Sequence, residues 1–253
     1  MVRTLALLHP EWVFAGPSAA VFQGLSVSNR DVRNIFVACT EDCHTKKTNL
    51  TTRVFVKGDE PSVIDGVRMT SFARTVFDCM RMRGFRRGLA VADSALRVSG
   101  WGRDRLADEV ERRFAGYRGI ALVRDIVRYA DGRAENGGES MARAAMIELG
   151  YEVPDLQKKV TDPIDGSEFY ADYYWTLGSD DVVAGELDGH LKYVDPEMTG
   201  GRDTVEVLAE ERLRESRIAA RGIRIMRFSY KDSQNDERFR RILDAFGIPK
   251  RSS

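Results

Sequence analysis

No stretch of this 253-residue chain approaches the roughly 18 consecutive apolar residues that a membrane-crossing helix requires. The N-terminal run MVRTLALLHPEW carries one basic residue and a short apolar segment. His9-Pro10 interrupts it and no small-residue cleavage site follows, so a secretory signal is not expected and the reading is a cytoplasmic protein. Cysteine is scarce: with only Cys39, Cys43 and Cys79, no complete disulfide framework is available. Cys39-x-x-x-Cys43-His44 has the outline of half a zinc site, but a fourth ligand at matching spacing is missing. Three thiols serving as small apolar side chains are therefore expected. Neither sign of charge is in excess, with 39 Lys+Arg against 39 Asp+Glu. Internal repeats and low-complexity tracts are also lacking. What remains is ordinary for a soluble globular chain: 43% apolar and 31% charged residues, enough for one large domain or two modest ones.

The zero net charge hides an asymmetry. Residues 1–132 carry 21 Lys+Arg against 15 Asp+Glu, and residues 133–253 carry 18 against 24, so the halves stand at +6 and −6. The positive excess is densest from Arg74 to Arg128, in a stretch that reads as helices. Such a surface can meet phosphates, but interleaved Asp and Glu equally allow a set of mixed ion pairs.

Local patterning predicts a short helix over residues 17–24 and strands at Asn34–Ala38 and Thr52–Val56. A hairpin turn is expected at Asp65-Gly66. Thr70-Ser71 stands where an N-cap belongs, ahead of a helix with Phe72, Val76, Phe77 and Met80 on one face. Further helices are expected at Arg86–Val98, Arg103–Phe114 and Ile120–Tyr129. Residues 131–138, DGRAENGG, are rich in turn formers and poor in apolar side chains, and a domain boundary is placed there, after residue 132. Beyond it the pattern predicts a helix at Glu139–Leu149 and strands at Val153–Val160, Phe169–Trp175 and Val182–Asp188. A long helix over Asp203–Arg221, a strand at Ile223–Phe228 and a last helix at Glu237–Phe246 complete the chain. A hairpin followed by a strand-helix-strand crossover implies a mixed sheet flanked by helices.

Asp172 lies in the first hairpin strand, and Glu186 and Asp188 lie in the second. Positions two apart on a strand share a face, and folding about residues 178–179 brings Asp172 close to the level of Glu186. Carboxylates gathered in this way repel one another unless protons or a cation compensate. Oxygen ligands of this kind suit magnesium or manganese, and such a metal supports phosphodiester hydrolysis. Acids on an exposed sheet face that do nothing are the alternative. Trp175 and Tyr193 have the shape to stack on a base, although aromatics flanking a strand are ordinarily core.

Residues 139–246 resemble the very-short-patch-repair endonuclease-like branch of the PD-(D/E)xK superfamily. More closely, they resemble the C-terminal domain of actinobacterial proteins related to AbiEi-type antitoxins of type IV toxin–antitoxin systems. The resemblance is carried by Gly138-Glu139-Ser140, Ala171-Asp172-Tyr173 and GELDGHLKY from Gly185 to Tyr193. Glu211-Arg212-x-Arg214-Glu215, Gly222 and Met226-Arg227-Phe228 extend it. It implies a restriction-endonuclease-like α/β domain over residues 133–253, with an αβββαβ core. Glu139 is then the helix acid, and Asp172 and Glu186 are the central metal-binding pair for Mg2+ or Mn2+. Asp188 stands where the superfamily has its lysine and cannot supply that positive charge. Lys192 and Arg214 are the candidates to replace it, and His190 is a candidate general base. Arg212, Arg214 and Arg217 form a helical stripe able to meet DNA phosphates or neighbouring carboxylates, and structural pairing is expected for Arg227.

The first half resembles, more loosely, the central domain of the same AbiEi-like proteins. It does so through Ser18-Ala19-Ala20, Gly24-Leu25 and the run from Met69 to Asp78. Residues 1–132 are accordingly expected to be an α+β and helical region. No helix-turn-helix pattern precedes the Ser18 helix, so the family's winged helix is expected to be missing. The resemblance implies DNA as a partner, and a cognate toxin or regulatory protein as a second one. Two classes of function follow. One is a magnesium-dependent endodeoxyribonuclease. The other is a catalytically inactive, antitoxin-like regulator that keeps the nuclease fold for DNA or protein contact.

Overall fold

The computed structural model describes residues 1–40, 50–178, 181–188 and 204–251, with side chains of the long C-terminal-half helix described from residue 212. The chain is of mixed α/β type and divides into two compact units, Met1–Ser140 and Met141–Ser253.

The first unit opens with helices α1 (Val2–Leu8) and α2 (Gly16–Phe22). Strands β1 (Ile35–Cys39) and β2 (Thr51–Phe55) pair in parallel, with Ile35 opposite Thr51. Strands β3 (Ser62–Ile64) and β4 (Val67–Met69) form the hairpin expected at Asp65-Gly66, both of which take positive φ. Phe14, fully buried, bridges to Val37 and to Met69 and so links the two small sheets. Four helices follow: α3 (Phe72–Met82), α4 (Phe85–Ser99), α5 (Arg103–Phe114) and α6 (Ile120–Tyr129). Ser71 caps α3 through Arg74 N, and Asp59 holds the cap in turn by accepting from Ser71 N at 2.9 Å. Cys39 is disulfide-bonded, which corrects the expectation of three thiols; residue spacing along the chain does not report through-space approach. Cys79 is free and buried among α3 neighbours, and burial pushes its thiol far up in pKa.

Arginines of the α3–α6 region are largely spoken for. Asp78 binds both Arg74 (2.6 Å) and Arg81 (2.7 Å), and Arg74 is only 3% exposed. Asp31 binds Arg83 and Arg87, Glu109 binds Arg112 and Arg113, and Glu111 holds Arg124 through both oxygens at 2.6 and 2.7 Å. Mixed ion pairing is what the interleaved charges produce here.

The polar segment 131–138 is pinned to α4. Asp93, fully buried, accepts from Asp131 N at 2.8 Å, and Arg97 donates to the carbonyl of the buried Ala134. Its glycines serve close approach: a Cβ on Gly132 would stand 3.0 Å from Leu96 Cβ. Helix α7 (Gly137–Glu148) begins where this segment ends.

The second unit is built on a four-stranded sheet in the order β5-β6-β7-β8. Its strands are β5 (Asp155–Thr161), β6 (Glu168–Thr176), β7 (Val182–Asp188) and β8 (Ile223–Ser229). The first two pairings are antiparallel, and β8 joins β7 in parallel after helix α8 (Thr204–Ala219). Short helix α9 (Tyr230–Ser233) and helix α10 (Asp236–Ala245) close the chain. Tyr173 and Phe228 stack on one sheet face, and Phe239 of α10 packs against Phe228. Trp175 is 3% exposed on β6 and gives its indole N–H to the Glu152 carbonyl, so it serves the core. Gly185 is needed between these rings, because a Cβ there would lie 3.0 Å from Trp175 and 3.1 Å from Tyr173. Val160, Phe169, Ala171, Ala184 and Ile218 form a second buried cluster, against α8.

Candidate active site

The site is set by where β6 and β7 run beside each other. Their register pairs Tyr173 with Gly185, Tyr174 with Ala184 and Trp175 with Val183. Asp172 and Glu186 come next on either side, and there the regular ladder ends. The carboxylate of Asp172 takes over: its Oδ2 accepts from Leu187 N at 2.9 Å, the peptide that directly follows Glu186. Its Oδ1 accepts from Gln157 Nε2 on β5 at 3.4 Å. Asp172 therefore sits within the sheet, bonded on both flanks and partly exposed.

Glu186 and Asp188 are two apart on β7 and face one guanidinium. Arg227 stands opposite Glu186 in the parallel β7–β8 register. It approaches Glu186 Oε2 at 3.4 Å and Asp188 Oδ1 at 3.3 Å, and it also binds Glu215 from α8. One arginine thus serves three carboxylates drawn from two strands and a helix. All four side chains are partly exposed, between 20% and 43%, so solvent weakens each pair without removing it.

Among the other residues expected at the site, Arg214 lays its guanidinium over the Phe169 ring, 5.2 Å from the centroid. Arg217 pairs with Asp165 at 2.9 Å and with the buried Asp162 at 3.5 Å. The hydroxyl and the backbone N–H of Ser167, with Arg217 beside them, hold the Asp165 carboxyl below its usual range. Arg212 is exposed. Glu139 is 5% exposed at the start of α7, where its carboxylate accepts from Glu135 N at 2.7 Å and from Asn136 Nδ2 at 2.5 Å. Asn136 Oδ1 in turn accepts from Glu139 N at 3.0 Å, a reciprocal helix cap. Lys192, His190 and Tyr193 lie outside the described residues. Among the described residues no group of three or more His, Cys, Asp or Glu side chains is arranged to hold a metal ion.

Two residues escaped the sequence reading as parts of this site. Glu215 belonged to the family-like run but carried no assigned role, and its contact with Arg227 depends on how α8 crosses the sheet. Gln157 gave no signal, being a polar residue in an ordinary strand pattern.

The chain is 34% identical over 112 residues to two proteins of Mycobacterium tuberculosis, from strains CDC 1551 / Oshkosh and ATCC 25618 / H37Rv, each named only as an uncharacterized protein. The aligned part is 44% of this chain and 41% of each relative, so the chain spans about two fifths of the length of the curated relatives it matches. No family model matches the chain. No solved structure matches it either. No helix among the described residues is long and apolar enough to cross a membrane.

Proposed function

We propose that the second unit is a restriction-endonuclease-like domain of the PD-(D/E)xK kind, and that the protein is a metal-dependent endodeoxyribonuclease. The observation that carries this reading is the 2.9 Å bond from Leu187 N to Asp172, which puts that carboxylate beside the peptide following Glu186. The element order from α7 through three antiparallel strands, α8 and a parallel β8 agrees with the αβββαβ core that the resemblance implies.

The donors fit the cation in type. Magnesium is commonly held by one or two carboxylates, with water completing the octahedron, and Asp172 and Glu186 are the pair that would hold Mg2+ or Mn2+. When bound, such an ion polarises a phosphoryl oxygen and lowers the pKa of its water. Asp172 is oriented for the task by Leu187 N and Gln157. Arg227 restrains Glu186 and Asp188 and stands near enough to meet a phosphate. Arg212, exposed on α8, is the described member of the helical stripe best disposed to touch the DNA backbone. In this reading residues 1–132 form an AbiEi-antitoxin-like region, the protein is cytoplasmic, and a cognate toxin is a candidate partner.

A second reading is favoured by the same arginine. Arg227 already pairs with Glu186, Asp188 and Glu215, and Asp188 stands where a catalytic lysine would be. Both fit an inactive regulator that keeps the nuclease fold to contact DNA. Supercoiled plasmid incubated with Mg2+ or Mn2+ separates the two. Metal-dependent nicking that Asp172→Ala and Glu186→Ala both abolish supports the enzyme. A salt-sensitive gel shift without cutting, unchanged in both variants, would establish the regulator instead.

A further inference from the structure

We infer that Gln157 is a positioning residue for Asp172, and that β5 is bent at Gln157 to seat that carboxylate. This inference rests on the reading of Asp172 as a cation ligand.

Three observations meet at one position. Gln157 has φ +50, inside a strand, where any residue that carries a Cβ is disfavoured. Asp65, the other non-glycine with positive φ among the described residues, occupies a hairpin turn where such a conformation is useful. Gln157 occupies no turn. The β5–β6 pairing also lapses there: Leu156 pairs with Tyr173 and Lys158 with Ala171, while Gln157 and Asp172, which should face each other between them, do not pair. Finally, the alternation of β6 slips by one across Asp172. Ala171 and Tyr174 pack on the same cluster although they are three residues apart.

These features have a common geometric consequence. In a regular strand Gln157 and Asp172 would exchange or flank backbone hydrogen bonds, and both side chains would stand off the sheet. With the bend, the Gln157 carboxamide reaches Asp172 Oδ1 while Leu187 N holds Oδ2. Both carboxylate oxygens are thereby fixed from opposite sides, one by β5 and one by β7. Unfavourable backbone conformations persist only where the surroundings enforce them, and they gather at functional sites. Partners that orient a metal-binding side chain are worth about 10- to 100-fold in metal affinity.

The test uses the full chain, Mn2+ alone as the probe, and two readouts: thermal midpoint and Mn2+ affinity by isothermal titration. Glycine adopts φ +50 without strain, so Gln157→Gly should melt at or above the wild-type temperature. It should also lose about tenfold or more in Mn2+ affinity. Gln157→Asn keeps a carboxamide and tolerates the left-handed region, and its affinity should fall between the two. Gln157→Gly binding Mn2+ as tightly as wild type overturns the inference, as does a large fall in its melting temperature. Asp172→Asn serves as the control. If it weakens Mn2+ binding while Gln157→Gly does not, the cation reading stands and the role of Gln157 is refuted. If neither variant changes the affinity, both fall.

Discussion

At Arg227 the balance between attraction and desolvation can be measured directly. Its guanidinium meets Glu186, Asp188 and Glu215, so Arg227→Met would take away the positive charge that these three carboxylates share. The side chains are partly exposed, and the loss should lie between that of a surface pair and that of a broken buried one, about 1–3 kcal/mol. Denaturant titration gives that figure. Mn2+ should restore part of the loss in the variant, because a divalent ion supplies the charge that the arginine no longer does. A variant whose melting Mn2+ leaves unmoved would show that these acids share no common cation. A second residue-scale test is Tyr151, fully buried. Burial, then its bond to Asp244 at 2.5 Å, raises its hydroxyl from 10.0 to about 12. The unfolded chain releases this proton first, so the stabilisation is intact below pH 10 and is lost as pH rises towards 12. Stability measured across that window should fall more steeply in wild type than in Tyr151→Phe.

Among the elements, the helices of the first unit owe their close approach to Gly88 of α4. A Cβ there would lie 2.8 Å from the Met80 carbonyl and 2.3 Å from Ile126 Cδ1. The isoleucine tip can swing aside, but the backbone oxygen cannot without shifting α3. Gly88→Ala should therefore cost about 1–3 kcal/mol, despite alanine's better helix propensity. A denaturation midpoint that rises in this variant would contradict the packing. Element identity was largely readable in the residue pattern. The segments Arg103–Phe114, Ile120–Tyr129 and Val182–Asp188 coincide with observed elements, because amphipathic spacing and the flanking glycines are local signals. Helix α1 was not legible, since its apolar residues lack a partner within the segment. Nor was the cap at Asn136 and Glu139, although N-x-x-E is a local signature.

For the whole molecule, the second unit has its own sheet and two buried clusters, so a fragment spanning residues 133–253 should fold alone. Circular dichroism should show a single cooperative melt, and a fragment that melts without cooperativity would refute this. Residue order by itself determined most of the helices and strands, the charge asymmetry between the halves, and the placing of Asp172, Glu186 and Asp188 on consecutive strands. It could not decide that β1 and β2 pair in parallel, that Arg227 gathers acids from β7 and α8, or that Gln157 bends β5 towards Asp172. Periodicity and caps are set by neighbours a few residues apart. The partners of Arg227 and the contact between Gln157 and Asp172 span 12 to 41 positions of the chain, and only folding brings those together.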